Sequence, residues 1–146
     1  MSLPDAGLGQ ISLSGALPSL IPRMAEGEFT KEVPENLRSV VISNPPYITY
    51  RLIGSIELNG IPVLIDIGFE GGVLRSVGIA ASSKALGRAA QDWSDWSEAR
   101  EMQKKALHDQ ILANAYGRPP YRFAWGEITS SYDPRGGSSD ITVRYA

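Results

Sequence analysis

Asn59-Gly60 stands between two runs of alternating apolar and polar residues. On one side Ile48, Tyr50, Leu52, Ile56 and Leu58 alternate with Thr49, Arg51, Ser55 and Glu57. On the other, Ile61, Val63, Ile65, Ile67 and Phe69 keep the same parity. A two-residue type I′ turn needs positive φ at both central positions, and Asn-Gly adopts them with little strain. Leu58 then opposes Ile61 and Ile56 opposes Val63, which puts all ten of those apolar side chains on one face. The pattern predicts one strand over 47–58, with Gly54 keeping the register, returning as a second strand in a half-buried antiparallel sheet. The opposite face carries Arg51, Glu57 and Asp66, but also Ile53 and Leu64.

The flanking segments extend the same architecture. Glu70-Gly71-Gly72 is a turn signal, and Val73 to Ala81 reads as a third strand. Its apolar positions step from Leu74 to Val77, which breaks period two and predicts a bulge near Arg75-Ser76. Ser39 to Ile42 is a candidate short strand before Asn44-Pro45-Pro46. One helix follows the third strand. Asp95 is the expected N-cap, with Glu98 as its capping-box partner and Ser94 as the alternative cap. The helix runs to Tyr116, where Gly117 supplies the left-handed stop and Pro119-Pro120 block a restart. Ala99, Gln103, Ala106, Leu107, Gln110, Ile111 and Ala115 form its expected inner stripe, and Glu101 with Lys105 an i,i+4 ion pair. Two further alternating runs flank Asp133-Pro134-Arg135-Gly136-Gly137-Ser138-Ser139 and predict a closing hairpin.

The expected fold class is therefore α+β: a single antiparallel sheet, elements in the order β-β-β-α-β-β, with one long helix on one face. Residues 1–37 form a Pro/Gly-rich arm ahead of a domain spanning 38–146. Pro4, Pro18, Pro22 and Pro34, with Gly7, Gly9, Gly15 and Gly27 between them, rule out a long helix there. Ile11, Leu13, Leu17, Leu20, Ile21 and Met24 are too apolar for a solvated linker. The arm packs on its own domain, with Ile11 and Leu13 as a short edge strand, or it docks on a second subunit.

A net charge of -2 and a pI near 5.4 lack the basic excess that a phosphate backbone demands, so no nucleic-acid partner is expected. With no cysteine, thiolate metal sites, Fe–S clusters and Cys nucleophiles are excluded. The first ten residues lack a basic, apolar leader, and no apolar run reaches the ~18 residues of a membrane span. A cytoplasmic location is the resulting expectation, with no membrane association.

No residue set carries catalysis, and no cofactor is expected. His108, the single histidine, sits mid-helix without an orienting acid on its own face; it reads as a solvent-exposed or sheet-contacting structural residue. Asp92, Asp95 and Glu98 lack the spacing of a calcium loop, so no metal site is expected. The glycine pairs lie in turns and not between a strand and a helix, which argues against a phosphate cradle. Trp93 and Trp96 beside the helix start, Arg118 at its exit, Trp125 at the root of the last hairpin and Arg135 at its tip are the candidate binding residues. The competing reading has the tryptophans filling the gap between helix and sheet.

Trp93-Ser94-Asp95-Trp96-Ser97-Glu98, then Gly117-Arg118-Pro119-Pro120-Tyr121, Trp125-Gly126-Glu127-Ile128, Tyr132-Asp133-Pro134 and Gly137-Ser138-Ser139, ending in Arg144-Tyr145, resembles a group of small uncharacterised bacterial proteins over residues 47–146. The resemblance implies no activity and no functional residues. The functional expectation is a non-catalytic protein-binding domain, of the inhibitor or immunity type that neutralises a bacterial toxin or enzyme. The alternatives are a small-ligand or carbohydrate binder with an aromatic surface, and a structural homodimer joined through Ile53, Leu64 and their neighbours.

Overall fold

The computed structural model describes residues 1–13, 15–82 and 97–146. It is α+β, with a single antiparallel sheet of eight strands and one long helix. Strands β1 (Arg38–Asn44), β2 (Tyr47–Leu52), β3 (Ile56–Leu58), β4 (Ile61–Glu70) and β5 (Val73–Ala81) precede the long helix α2 (Glu98–Tyr116). Strands β6 (Tyr121–Phe123), β7 (Gly126–Asp133) and β8 (Ser138–Tyr145) follow it. A short helix, α1 (Glu26–Glu32), lies in the arm. The sheet order is β1-β2-β4-β5-β8-β7-β6, with β3 also paired to β4.

The Asn59-Gly60 hairpin forms as expected: Leu58 faces Ile61, Ile56 faces Val63, and both turn residues have positive φ. The strand before it is not continuous. It breaks at Gly54, whose φ is 122°, and β2 and β3 share the same edge of β4. From Arg51↔Asp66 to Ile56↔Val63 the chain advances five residues on one side and three on the other, so two extra residues are accommodated. An even insertion leaves side-chain parity intact. Tyr50, Leu52, Ile56 and Leu58 therefore stay on the buried face with Val63, Ile65, Ile67 and Phe69, while Ile48 and Ile61 are partly buried at its margins. The bulge in β5 falls at Arg75, since Gly68 pairs with Ser76 and Phe69 with Leu74.

The element order departs from expectation in three places. The break at Gly54 splits one strand into two. Ser39 to Ile42 lies within a full edge strand, β1, turned by Pro45-Pro46. The run from Tyr121 folds back at Ala124-Trp125, so β6 is a separate edge strand paired with β7.

Helix α2 begins at Glu98, and its cap is Ser97, whose side chain accepts from the Arg100 N–H at 3.2 Å. Asp95 and Ser94 lie outside the described residues. Gly117 ends the helix as expected, with φ 86° and its N–H on the Ala113 carbonyl. The inner stripe is rotated from the expected one. Glu101, His108, Ile111 and Leu112 are buried, while Gln103, Ala106, Gln110 and Ala115 face solvent. Glu101 falls outside the expected stripe, and His108 reads as either exposed or against the sheet; both point inward because β5 and β8 supply their partners. The ion pairs are correspondingly Lys104–Glu101 at 3.3 Å and Lys105–Asp109 at 3.0 Å, not Glu101–Lys105.

One sheet face is covered by two layers. Helix α2 packs over β5, β8 and β7. The arm supplies the remainder: Ile11, Leu20, Phe29 and Val33 are fully buried, and Phe29 sits 5.2 Å from Tyr50 and 5.4 Å from Phe69 between ring centres. Thus the arm packs in cis. Ile11 bridges Leu20 rather than extending the sheet. The opposite sheet face has no covering layer among the described residues. It carries Ile53 and Leu64, half exposed, and the bidentate Arg51–Asp66 pair at 2.8 and 3.0 Å.

Candidate functional site

His108 takes the sheet-contacting alternative. It is 1% exposed, and its Nε2 accepts the Ala81 N–H at 2.9 Å. Accepting there places the proton on Nδ1, which is buried without a partner. Burial, with Lys104 adding to it, pushes the imidazole pKa down to about 4. The unfolded chain titrates near about 6.5, so the folded state binds fewer protons between those values. Stability is therefore complete above about pH 6.5 and falls as pH drops to about 4, by about 3 kcal/mol in all. Urea unfolding of wild type and His108→Gln between pH 7 and 4.5 checks this: the wild type should lose about 2–3 kcal/mol more than the variant over that range.

Glu101 is the second inward polar residue. Its Oε2 accepts from the Ser139 N–H at 3.1 Å and the Ser139 hydroxyl at 2.9 Å. Charge-assisted bonds of this kind tie the helix N-terminal half to β8. Both groups are structural pins.

Of the expected binding residues, Trp125 and Arg135 lie apart. Trp93 and Trp96 lie outside the described residues. Trp125 is 9% exposed, stacks on Phe123 at 4.9 Å, and donates from Nε1 to the Ala6 carbonyl at 3.1 Å. It locks the arm to the sheet rather than presenting a surface. Arg118 is exposed at the helix exit. Arg135 is exposed at the β7–β8 tip, where its N–H binds Asp133 Oδ1. The length of β7, eight residues or roughly 25 Å, separates Arg135 from Trp125.

A different feature emerges along β7. Trp125 O accepts from Ala146 N, so alternation turns the main chain of Glu127, Thr129, Ser131 and Asp133 toward β8. Gly126 and Ile128 turn toward β6. Ser130 and Tyr132 turn the same way, but β6 starts at Tyr121 opposite Ile128 and reaches no further. Their N–H and C=O groups therefore lie on an unpaired edge among the described residues. Beside that edge is a cleft of about 550 Å³. Lys105, Asp109 and Ala113 of α2 form one wall, and Pro119, Tyr121 and Ile128 close its end. The Ser130 Oγ is buried in this region and has no hydrogen bond of ordinary geometry. Burial raises the Asp109 carboxyl, but the nearby Ser130 hydroxyl and Lys105 outweigh it and hold it below the usual range.

No family model, curated protein or solved structure matches the chain. Among the described residues, no His, Asp and Glu side chains group to hold a metal ion, and no helix is long and apolar enough to cross a membrane.

A partial signal for the cleft is present in the sequence. Pro119-Pro120 is visible as a helix stop. Continuing the β6 register backward would place Pro119 opposite Ser130, and proline has no N–H to give to that carbonyl. The consequence for β7 follows only once the short pairing of β6 is known.

Proposed function

We propose that the chain is a non-catalytic protein-binding domain of the cytoplasm, akin to the small bacterial proteins its motifs resemble, and of the kind that masks a toxin or enzyme. What supports the reading is β1. Among the described residues this seven-residue edge strand pairs on one side only, and six of its residues are exposed. Val40, Val41 and Ile42 are 54%, 41% and 55% exposed. Proteins blunt such edges with proline, charge or a bulge. Here Arg38 at one end and the irregularity at Val41 are the devices present. An apolar edge this open is suited to burial against a partner.

A second reading, self-association, is favoured by the composition of the same strand. Ser39-Val40-Val41-Ile42-Ser43 reads alike in both directions about Val41. An antiparallel pair of copies would set Val40 against Ile42 and Ser39 against Ser43, as a two-fold axis requires.

Affinity purification from the native host at physiological salt, with wild type beside Val40→Lys/Ile42→Lys, tests both. The expected outcome is one stoichiometric co-purifying protein that the double variant loses. Recovery of only this chain, as a dimer in sedimentation, would favour the second reading. A strict monomer with no partner would overturn both.

A further inference from the structure

We propose that the cleft between α2 and β7 takes an extended peptide segment of a protein partner, added to β7 as a strand in line with β6. This rests on the protein-binding reading but uses a different surface from β1. Three observations carry it.

First, the edge is built for pairing and, among the described residues, left unpaired. β6 already occupies the edge antiparallel at Gly126 and Ile128. The next outward main-chain groups are those of Ser130 and Tyr132. Register continuation would assign them Pro119 and Gly117, but Gly117 caps the helix and the two prolines enter β6 from α2. An incoming strand takes the vacated positions. The edge from Thr129 to Asp133 is five residues, or roughly 17 Å, enough to bind a short extended segment.

Second, the helix supplies the wall that gives such a strand side-chain selectivity. Lys105, Asp109 and Ala113 are spaced four apart and lie on one stripe facing the cleft. A peptide residue opposite Ser130 has its side chain on the Ser130 side of the sheet, toward α2. Ala113, Tyr121 and Ile128 there favour an apolar group.

Third, the Ser130 Oγ is buried with no hydrogen bond of ordinary geometry: its hydroxyl lies near the Asp109 carboxylate, and its lone pairs accept nothing. Lys105 already holds Asp109, and Arg122 stands cross-strand from Glu127. The cleft therefore presents no net charge to satisfy. An uncharged peptide fits it, with an apolar side chain and a neighbouring hydroxyl or amide that bonds Ser130 Oγ. A donor reaching those lone pairs distinguishes such a peptide from a wholly apolar one.

Selection of a displayed random dodecapeptide library on the purified chain tests this. Ala113→Trp fills the cleft from an exposed helix position and leaves the core intact. Ser130→Pro removes an outward N–H and no bond to β8. Enriched peptides should bind wild type, weaken by about tenfold or more on both variants, and bind Val40→Lys unchanged. They should also slow amide exchange at Ser130 and Tyr132. If Ser130→Pro unfolds, Ala113→Trp and the exchange data decide. No enrichment, or enriched peptides that bind Ala113→Trp as tightly as wild type, overturns the proposal. Peptides lost only on Val40→Lys would overturn the cleft while leaving the protein-binding reading standing.

Discussion

Gly126→Ala is expected to prevent folding at 37 °C. A Cβ at this position would lie 2.1 Å from the Arg144 carbonyl oxygen and 3.0 Å from the Tyr145 Cα. Both are backbone atoms of the paired strand, so no side chain can move aside. Gly126 also has φ 154°, at the turn that returns β6 into β7. Relief requires separating β7 from β8, where Ile128, Val143 and Tyr145 are buried. Overpacking against backbone costs about 3 kcal/mol or more, a large share of the stability of a domain this size. Gly27→Ala is the control: a Cβ there meets nothing within 4 Å, in the first turn of α1. It should be neutral or stabilising by up to about 1 kcal/mol. Thermal melts and soluble yield of the two variants give the comparison.

Removal of residues 1–23 is the second large effect. Ile11 and Leu20 are completely buried, and each contributes about 2–3 kcal/mol on burial. The arm also accepts three hydrogen bonds from the core: Trp125 to Ala6, Tyr145 to Gly9 and Tyr116 to Pro4. Truncation leaves those donors searching for water and uncovers part of the inner sheet face. The sum exceeds about 5 kcal/mol, so the shortened chain should be insoluble or molten, with near-UV circular dichroism lost. A truncated chain that melts cooperatively within about 5 °C of wild type would mean that the arm's contacts carry little of the stability.

The sheet was legible where geometry is local. Asn59-Gly60 fixes a turn type, and a turn type fixes which side chains meet. The step from Leu74 to Val77 announced the Arg75 bulge because a single extra residue breaks parity. The insertion at Gly54 escaped notice for the complementary reason: two extra residues restore parity, so the alternation looks continuous. The helix face escaped because Glu101 and His108 are inward for hydrogen bonds to Ser139 and Ala81, partners far away in sequence. Its start was ambiguous because Ser94, Asp95 and Ser97 all satisfy the same local capping preference.

The candidate site was less legible. Trp125 has the composition of a binding anchor, but its indole N–H finds a carbonyl in the arm, 119 residues earlier. Exposure of β1 is a property of where the sheet ends, and nothing in Arg38 to Asn44 specifies an edge. The cleft depends on β6 being only three residues long. Both features follow from strand order, which hydrophobic periodicity leaves undetermined.

A protein partner that covers β1 would bury its outward main-chain edge. Amide hydrogen exchange of the chain, alone and bound to the partner recovered from the host, measures it directly. Rapid exchange of the outward amides within residues 38–44 is expected in the free chain, slowing by about tenfold or more in the complex. Equal exchange there in both states, with protection gained only elsewhere, would contradict it.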